Sequence, residues 1–248
     1  MPSLDMLALI CATFFVAGLV KGTLGLGLPT IVLGVLAAPL GLKEAIGFML
    51  LPSLCANIWQ GLVGGFFREL LRRFWAFFLA AIVGIGIGVS VLAEGSNDLL
   101  LGILGTVLCV YVVLSFTGQK LPAPKPGNER WCGPLAGGFG GVMFGMTGVF
   151  IVPGILYLQS FSLKRDMLVQ AMGMAFLIIT VTIFAYMTRW QLLAGDQVLI
   201  SGLAILPMFA GIALGYYARQ HISEDAFRRI ILIGLLMSGI HLLSRAFL

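Results

Sequence analysis

The chain has 248 residues, 60% hydrophobic and 10% charged, with a formal net charge of +5 and a mean hydropathy of +1.07. A soluble domain carries about 25% charged residues, so a soluble globular fold is excluded, and the continuous apolar runs exclude the alternating pattern of a membrane β-barrel. The basic residues stand singly or in twos and threes between apolar runs, which is a topology signal and not a nucleic-acid footprint; the bilayer is the expected partner, and no nucleic acid is.

Apolar segments are predicted over 5–20, 25–40, 44–66, 73–93 and 97–117. The stretch TGQKLPAPKPGNER (117–130) reads as a hydrophilic linker. Segments resume over 132–146, 149–161, 166–187, 197–218 and 226–247. The organisation is therefore a first transmembrane repeat (1–116), a linker (117–130) and a second repeat (131–248). Each half opens with two short segments around a glycine-rich break, and three longer ones follow. A 16-residue helix covers about 24 Å, short of a ~30 Å hydrocarbon core, so each opening reads as a broken or re-entrant pair. The expected fold is an all-α polytopic membrane protein with about eight to ten helical segments.

The halves echo each other. GLGLPTIVLGVL (25–36) sits beside GMTGVFIVPGIL (145–156), and EAIGFML (44–50) beside QAMGMAF (170–176). Charge chooses the topology. If each short pair turns back to the side it came from, Arg68, Arg72, Arg73, Lys120, Lys125, Arg130, Lys164, Arg165, Arg219, Arg228 and Arg229 share one side, and Lys43, Arg189 and Arg245 the other. If each pair is one broken span, the bias disappears. The positive-inside rule selects the hairpins. It places the linker in the cytoplasm and both termini in the periplasm, with the two repeats inverted.

Lys21 is the one ionisable residue well inside an apolar region. A lysine at the bilayer centre costs roughly 2.5–3.5 kcal/mol, so it needs water, a partner or an anion. The acidic residues fall at segment ends or in loops, although Glu44 could fold back. A lysine with hydroxyls and no buried acid suits a small anionic substrate. Gly22, Gly25 and Gly27 in the first break, and Gly140, Gly141, Gly145 and Gly148 in the second, let backbone approach a ligand, and a helix restarting after a break offers free N–H groups. The plainer reading is that Lys21 snorkels and the glycines pack helices. Gly84 and Gly88 read as helix packing; glycine-rich faces also suit a homodimer. Ser53, Asn57 and Gln60 share one face of the third segment, and Gln170 and Thr180 fall in the corresponding segment of the second half. Such groups bridge helices or line a cavity. Gln159 is placed to cap the second hairpin. Trp59, Trp75, Trp131 and Trp190 read as interface anchors.

No nucleophile or phosphate-loop motif is present, so no enzyme activity is expected, and no cofactor or metal. Cys11, Cys55, Cys109 and Cys132 have no ligand spacing, and no disulfide is expected. The first residues lack the basic start of a signal peptide, so retention is expected.

The chain resembles the TauE/SafE family of sulfite and organosulfonate exporters over essentially its whole length. The resemblance rests on GLGLPTIVLGVL followed by EAIGFMLLPSLCANIWQ, and on GGFGGVMFGMTGVFIVPGILYLQ followed by QAMGMAF. It implies a secondary carrier that moves small sulfur-containing anions across the bacterial inner membrane, usually outward. Leucines and a threonine stand where the family commonly has glycine, and Lys21 lies in the first break. On this reading Lys21, Thr23, Thr147 and the backbone at Gly25 and Gly148 hold the anion, supported by Asn57, Gln60 and Gln170. A passive anion channel and a membrane assembly protein without substrate are the alternatives.

Overall fold

In the computed structural model the described residues are 3–117, 122–125, 127–193, 195–218 and 224–247. Of the basic residues counted above, Lys120 and Arg219 lie outside them. The described residues form α1 (Leu4–Leu24), α2 (Leu28–Leu40), α3 (Leu42–Leu62), α4 (Phe67–Glu94), α5 (Asn97–Thr117) and α6 (Glu129–Thr147). A π turn (Ile151–Ile155) then leads into α7 (Leu156–Ser160), followed by α8 (Arg165–Arg189), α9 (Gly195–Leu203), α10 (Ile205–Ala218) and α11 (Glu224–Phe247). Among the described residues seven helices are long and apolar enough to cross a membrane, and two apolar ones, Leu28–Leu40 and Ile151–Ser160, are shorter. The chain is an all-helical, multi-pass membrane protein.

The predicted openings need one correction. The first helix of each half is not short: α1 has 21 residues and α6 has 19. Gly22 does not break α1, because an interior glycine costs only about 1 kcal/mol and here it lets another helix come close. Lys21 and Thr23 therefore sit in the last turn of a full-length helix. The ninth predicted segment divides at Ala204, where Pro207 cannot donate to the Leu203 carbonyl.

The chain clusters into two compact units that draw on both halves. The first comprises Met1–Ser53, Ser96–Phe116 and Leu192–Leu248; the second comprises Leu54–Gly95 and Thr117–Gln191.

In the first unit α1 packs on α10 through glycines. A methyl on Gly18 or Gly22 would collide with the Met208 or Ile212 carbonyl, and one on Gly211 or Gly215 with the Phe15 or Leu19 carbonyl. The paired numbers rise together, so the helices run parallel. Glycine admits this approach because each side chain would otherwise occupy the partner's backbone. α2 lies on α1 and α11. At the end where α5 begins, Leu42 N donates to Asn97 Oδ1 (3.4 Å) and Arg245 donates to the Ala38 carbonyl (2.9 Å). At the end where α5 finishes, Arg228 donates to the Ser115 carbonyl (3.5 Å). Lys43 and Arg245 thus lie at one end of α5, and Arg228 at the other.

The second unit repeats the device. A methyl on Gly84 or Gly88 would meet the Gly138 or Val142 carbonyl, and one on Gly137, Gly141 or Gly145 the Phe77, Ala81 or Ile85 carbonyl. α4 and α6 are therefore a second parallel glycine-packed pair, as read for Gly84 and Gly88. In each pair the first helix of one half packs against the fourth predicted segment of the other. α8 also lies on α4. The glycine faces of both pairs are used inside the chain.

Candidate functional site

The two breaks share one backbone design. α1 ends at Gly25 (φ 76°, ψ 0°) and α6 at Gly148 (φ 72°, ψ 7°), both left-handed. The Gly25 N–H donates to the Lys21 carbonyl (2.8 Å) and the Gly148 N–H to the Phe144 carbonyl (2.7 Å). Gly18, Gly22 and Gly25 thus correspond in order and spacing to Gly141, Gly145 and Gly148. This shifts the register read from sequence by three residues, because the left-handed glycine and the packing glycines, not the apolar letters, fix the equivalence.

After Gly25 the chain restarts at once. Gly27 (φ 101°) precedes α2, and Pro29 stands in its first turn. Ile31 N already donates to the Gly27 carbonyl (3.1 Å). Helix geometry leaves Leu28 and Thr30 as first-turn N–H donors, since proline has none. After Gly148 the chain folds back along α6. A methyl on Gly140 would lie 3.2 Å from Gly154 N, and one on Gly133 3.1 Å from the Tyr157 hydroxyl. The second pair is therefore an antiparallel hairpin. It is filled with aromatic side chains: Phe77 stacks on Tyr157 (5.3 Å), and Phe144 meets Phe150 edge-on (6.0 Å).

Lys21 is 8% exposed, inside the last turn of α1. A cation there is favoured by the carbonyl end of the helix dipole. Asp5, Glu44, Glu69, Glu94, Asp98 and Asp166 are exposed and Glu129 is half-buried; Glu44 does not fold back into the interior. The side chains of Asp196, Glu224 and Asp225 lie outside the described residues. The position equivalent to Lys21 in the second break is Phe144, which is buried.

The remaining expected ligands are committed locally. Thr23 donates its hydroxyl proton to the Leu19 and Val20 carbonyls. Thr147 donates to the Met143 carbonyl (2.7 Å) and accepts from Val149 N (3.2 Å). Both threonines therefore complete helix ends, and the Gly25 and Gly148 N–H groups close caps, where the sequence had suggested direct donors to an anion. Gln170 is a clasp: its Oε1 accepts from Phe66 N (2.8 Å) and its Nε2 donates to the Gly61 carbonyl (3.3 Å). Gln60 Nε2 donates to the Val169 carbonyl (3.2 Å). These two amides tie the end of α3 to the start of α8. Asn57 is buried on α3 and Thr180 on α8. Gln159 reaches Met172 Sδ (3.9 Å), which joins α7 to α8.

Lys21, Thr23 and Gly25 thus meet at the first break, and Thr147 and Gly148 at the second. Sequence reasoning read Ser53 only as a helix-bridging or cavity-lining group and not as a ligand; its hydroxyl is buried at 1% exposure and has no hydrogen-bond partner among the described residues. Its signal was its place on the face shared with Asn57, directly after Pro52. The first-turn donors of α2 were passed over individually, although Pro29 marked that turn.

No curated protein and no solved structure matches the chain. The sequence profile described as sulfite exporter TauE/SafE matches residues 10–242. A glycine-built helical membrane protein matched over nearly all its length leaves one assignment: the chain belongs to the sulfite exporter TauE/SafE family, and so to a family of membrane transporters.

Proposed function

We propose that the chain is a secondary carrier that exports a small sulfur-containing anion, sulfite or a sulfonate such as sulfoacetate, across the bacterial inner membrane by alternating access. The observation that carries this reading is Lys21, a lysine buried on a helix of membrane-spanning length one turn before a break, in a chain of an anion-exporter family. Beside it α2 begins with first-turn N–H donors, which favour negative charge. The reading therefore moves from the threonine hydroxyls and glycine caps to Lys21 and the start of α2. Charge-assisted hydrogen bonds from these groups are enough to hold an oxyanion.

The orientation follows from the ends of the helices. Lys43 and Arg245 lie at the opposite end of α5 from Arg228, which fits hairpin openings and not single broken spans. By the positive-inside rule the linker and the Arg68–Arg73 region are then cytoplasmic, with both termini periplasmic.

The test is efflux and counterflow of sulfite, sulfoacetate, isethionate and thiosulfate in reconstituted vesicles. A carrier gives saturable flux and counterflow of at least one of these anions. Flux without counterflow would mean a channel, and no flux of any of them would remove the proposal.

A further inference from the structure

Positive charge is concentrated at one end of the second unit. Arg73 Nη2 lies 3.3 Å from Glu129 Oε1, and its guanidinium carbon lies 4.8 Å from the centre of the Phe161 ring. These two contacts bring together the start of α4, the start of α6 and the turn between α7 and α8. The bond from Phe66 N to Gln170 adds the start of α8. Around this junction Arg68, Arg72, Arg73, Arg130, Lys164 and Arg165 are all exposed, and the acidic residues among the described ones there are Glu69, Glu129 and Asp166.

This clustering is unfavourable for the protein alone. The cations repel one another, and those in the first turns of α4 and α8 also oppose the helix dipole. A bound anion relieves both. What lies along the same helices identifies the kind of anion. Trp75 and Trp131 are 59% and 69% exposed, and Leu71, Leu79, Leu135 and Phe139 on the same two helices are exposed as well. Free phosphate would use the cations alone. A phospholipid uses the cations at its headgroup, the tryptophans at the interface and the apolar faces along its chains.

We propose that this end of the second unit binds the headgroup of an anionic phospholipid, whose acyl chains lie along the exposed faces of α4 and α6. The lipid ties the starts of α4, α6 and α8 to one leaflet. The site does not depend on which anion the protein transports.

The test uses the whole chain in nanodiscs that mix phosphatidylglycerol with phosphatidylcholine, with retained lipid counted by native mass spectrometry. The wild type retains phosphatidylglycerol preferentially. Arg68→Gln, Arg72→Gln and Arg130→Gln together lower that retention about tenfold or more. The control Lys43→Gln with Arg189→Gln leaves it unchanged, and millimolar inorganic phosphate does not displace the lipid. No preference in the wild type, undiminished retention in the triple variant, or displacement by phosphate would each overturn the proposal. If the triple variant does not fold, amide exchange in the wild type decides. Protection at the starts of α4 and α6 in phosphatidylglycerol discs alone supports the site, and equal protection in both lipids overturns it.

Discussion

The first break ends a helix on a glycine at φ 76° with a buried lysine four residues before it; the second ends on a glycine at φ 72° with a buried phenylalanine there. The cap, its hydrogen bond and the flanking packing glycines are alike. The surroundings differ. The first break holds a cation and restarts into a 13-residue helix, while the second folds back into a cluster of Phe77, Phe144, Phe150 and Tyr157. A glycine-ended helix is thus a backbone device that leaves its chemistry open. The glycines build the fold twice, and Lys21 makes one copy electrostatically distinct.

The largest effects should come from the feature the two regions share. Gly141→Ala in the second unit and Gly211→Ala in the first each drive a methyl into a carbonyl, of Ala81 and of Phe15. Each should cost about 3 kcal/mol, read as a lowered midpoint in heated, fluorescence-detected size exclusion. A mild effect of one and a severe effect of the other would break the equivalence of the two helix pairs.

Next come the amides of the second unit. Gln170→Leu leaves the Phe66 N–H and the Gly61 carbonyl without their partner, and should cost roughly 1–3 kcal/mol. The same assay reads it, and an unchanged midpoint would remove the clasp.

Gly25→Ala and Gly148→Ala should each cost about 1–2 kcal/mol, the penalty of a left-handed residue with a side chain. Gly25→Asn should recover part of it, because asparagine tolerates that conformation. The space around Gly25 is open, so a much larger loss there would point to a contact at the first break beyond backbone strain.

The smallest effect is expected at Ser53. Ser53→Ala removes a buried hydroxyl with no partner, so stability should hold or rise by about 1 kcal/mol. Transport should be unchanged. A loss of flux would make that hydroxyl a ligand and extend the site beyond the first break.

Much of the architecture could be read in advance because it rests on hydrophobic length. The span 97–117 read from the sequence has the limits of α5, since Asn97 and Asp98 at one end and Thr117 at the other bound a largely apolar run. The end of α1 was not legible, because letters alone do not separate a packing glycine from a left-handed one. Gly22 faces the Ile212 carbonyl inside the helix, while Gly25 ends it. Burial of Lys21 followed from its place in an apolar run. The engagement of Thr23, Thr147 and Gln170 did not, since a hydroxyl or amide shows its partner only once neighbouring turns and helices are in place.

Flux measured side by side in Lys21→Ala and Phe144→Leu, the two equivalent positions, tests the central claim most directly. In vesicles exporting sulfite or a sulfonate, folded Lys21→Ala should lose at least about tenfold of the wild-type rate, as expected when one charge-assisted ligand of 1.5–3 kcal/mol is removed. Phe144→Leu should stay within about twofold, losing stability only, by under about 1.5 kcal/mol. Undiminished flux in Lys21→Ala, or an equal loss in both variants, would contradict the assignment of the anion to the first break.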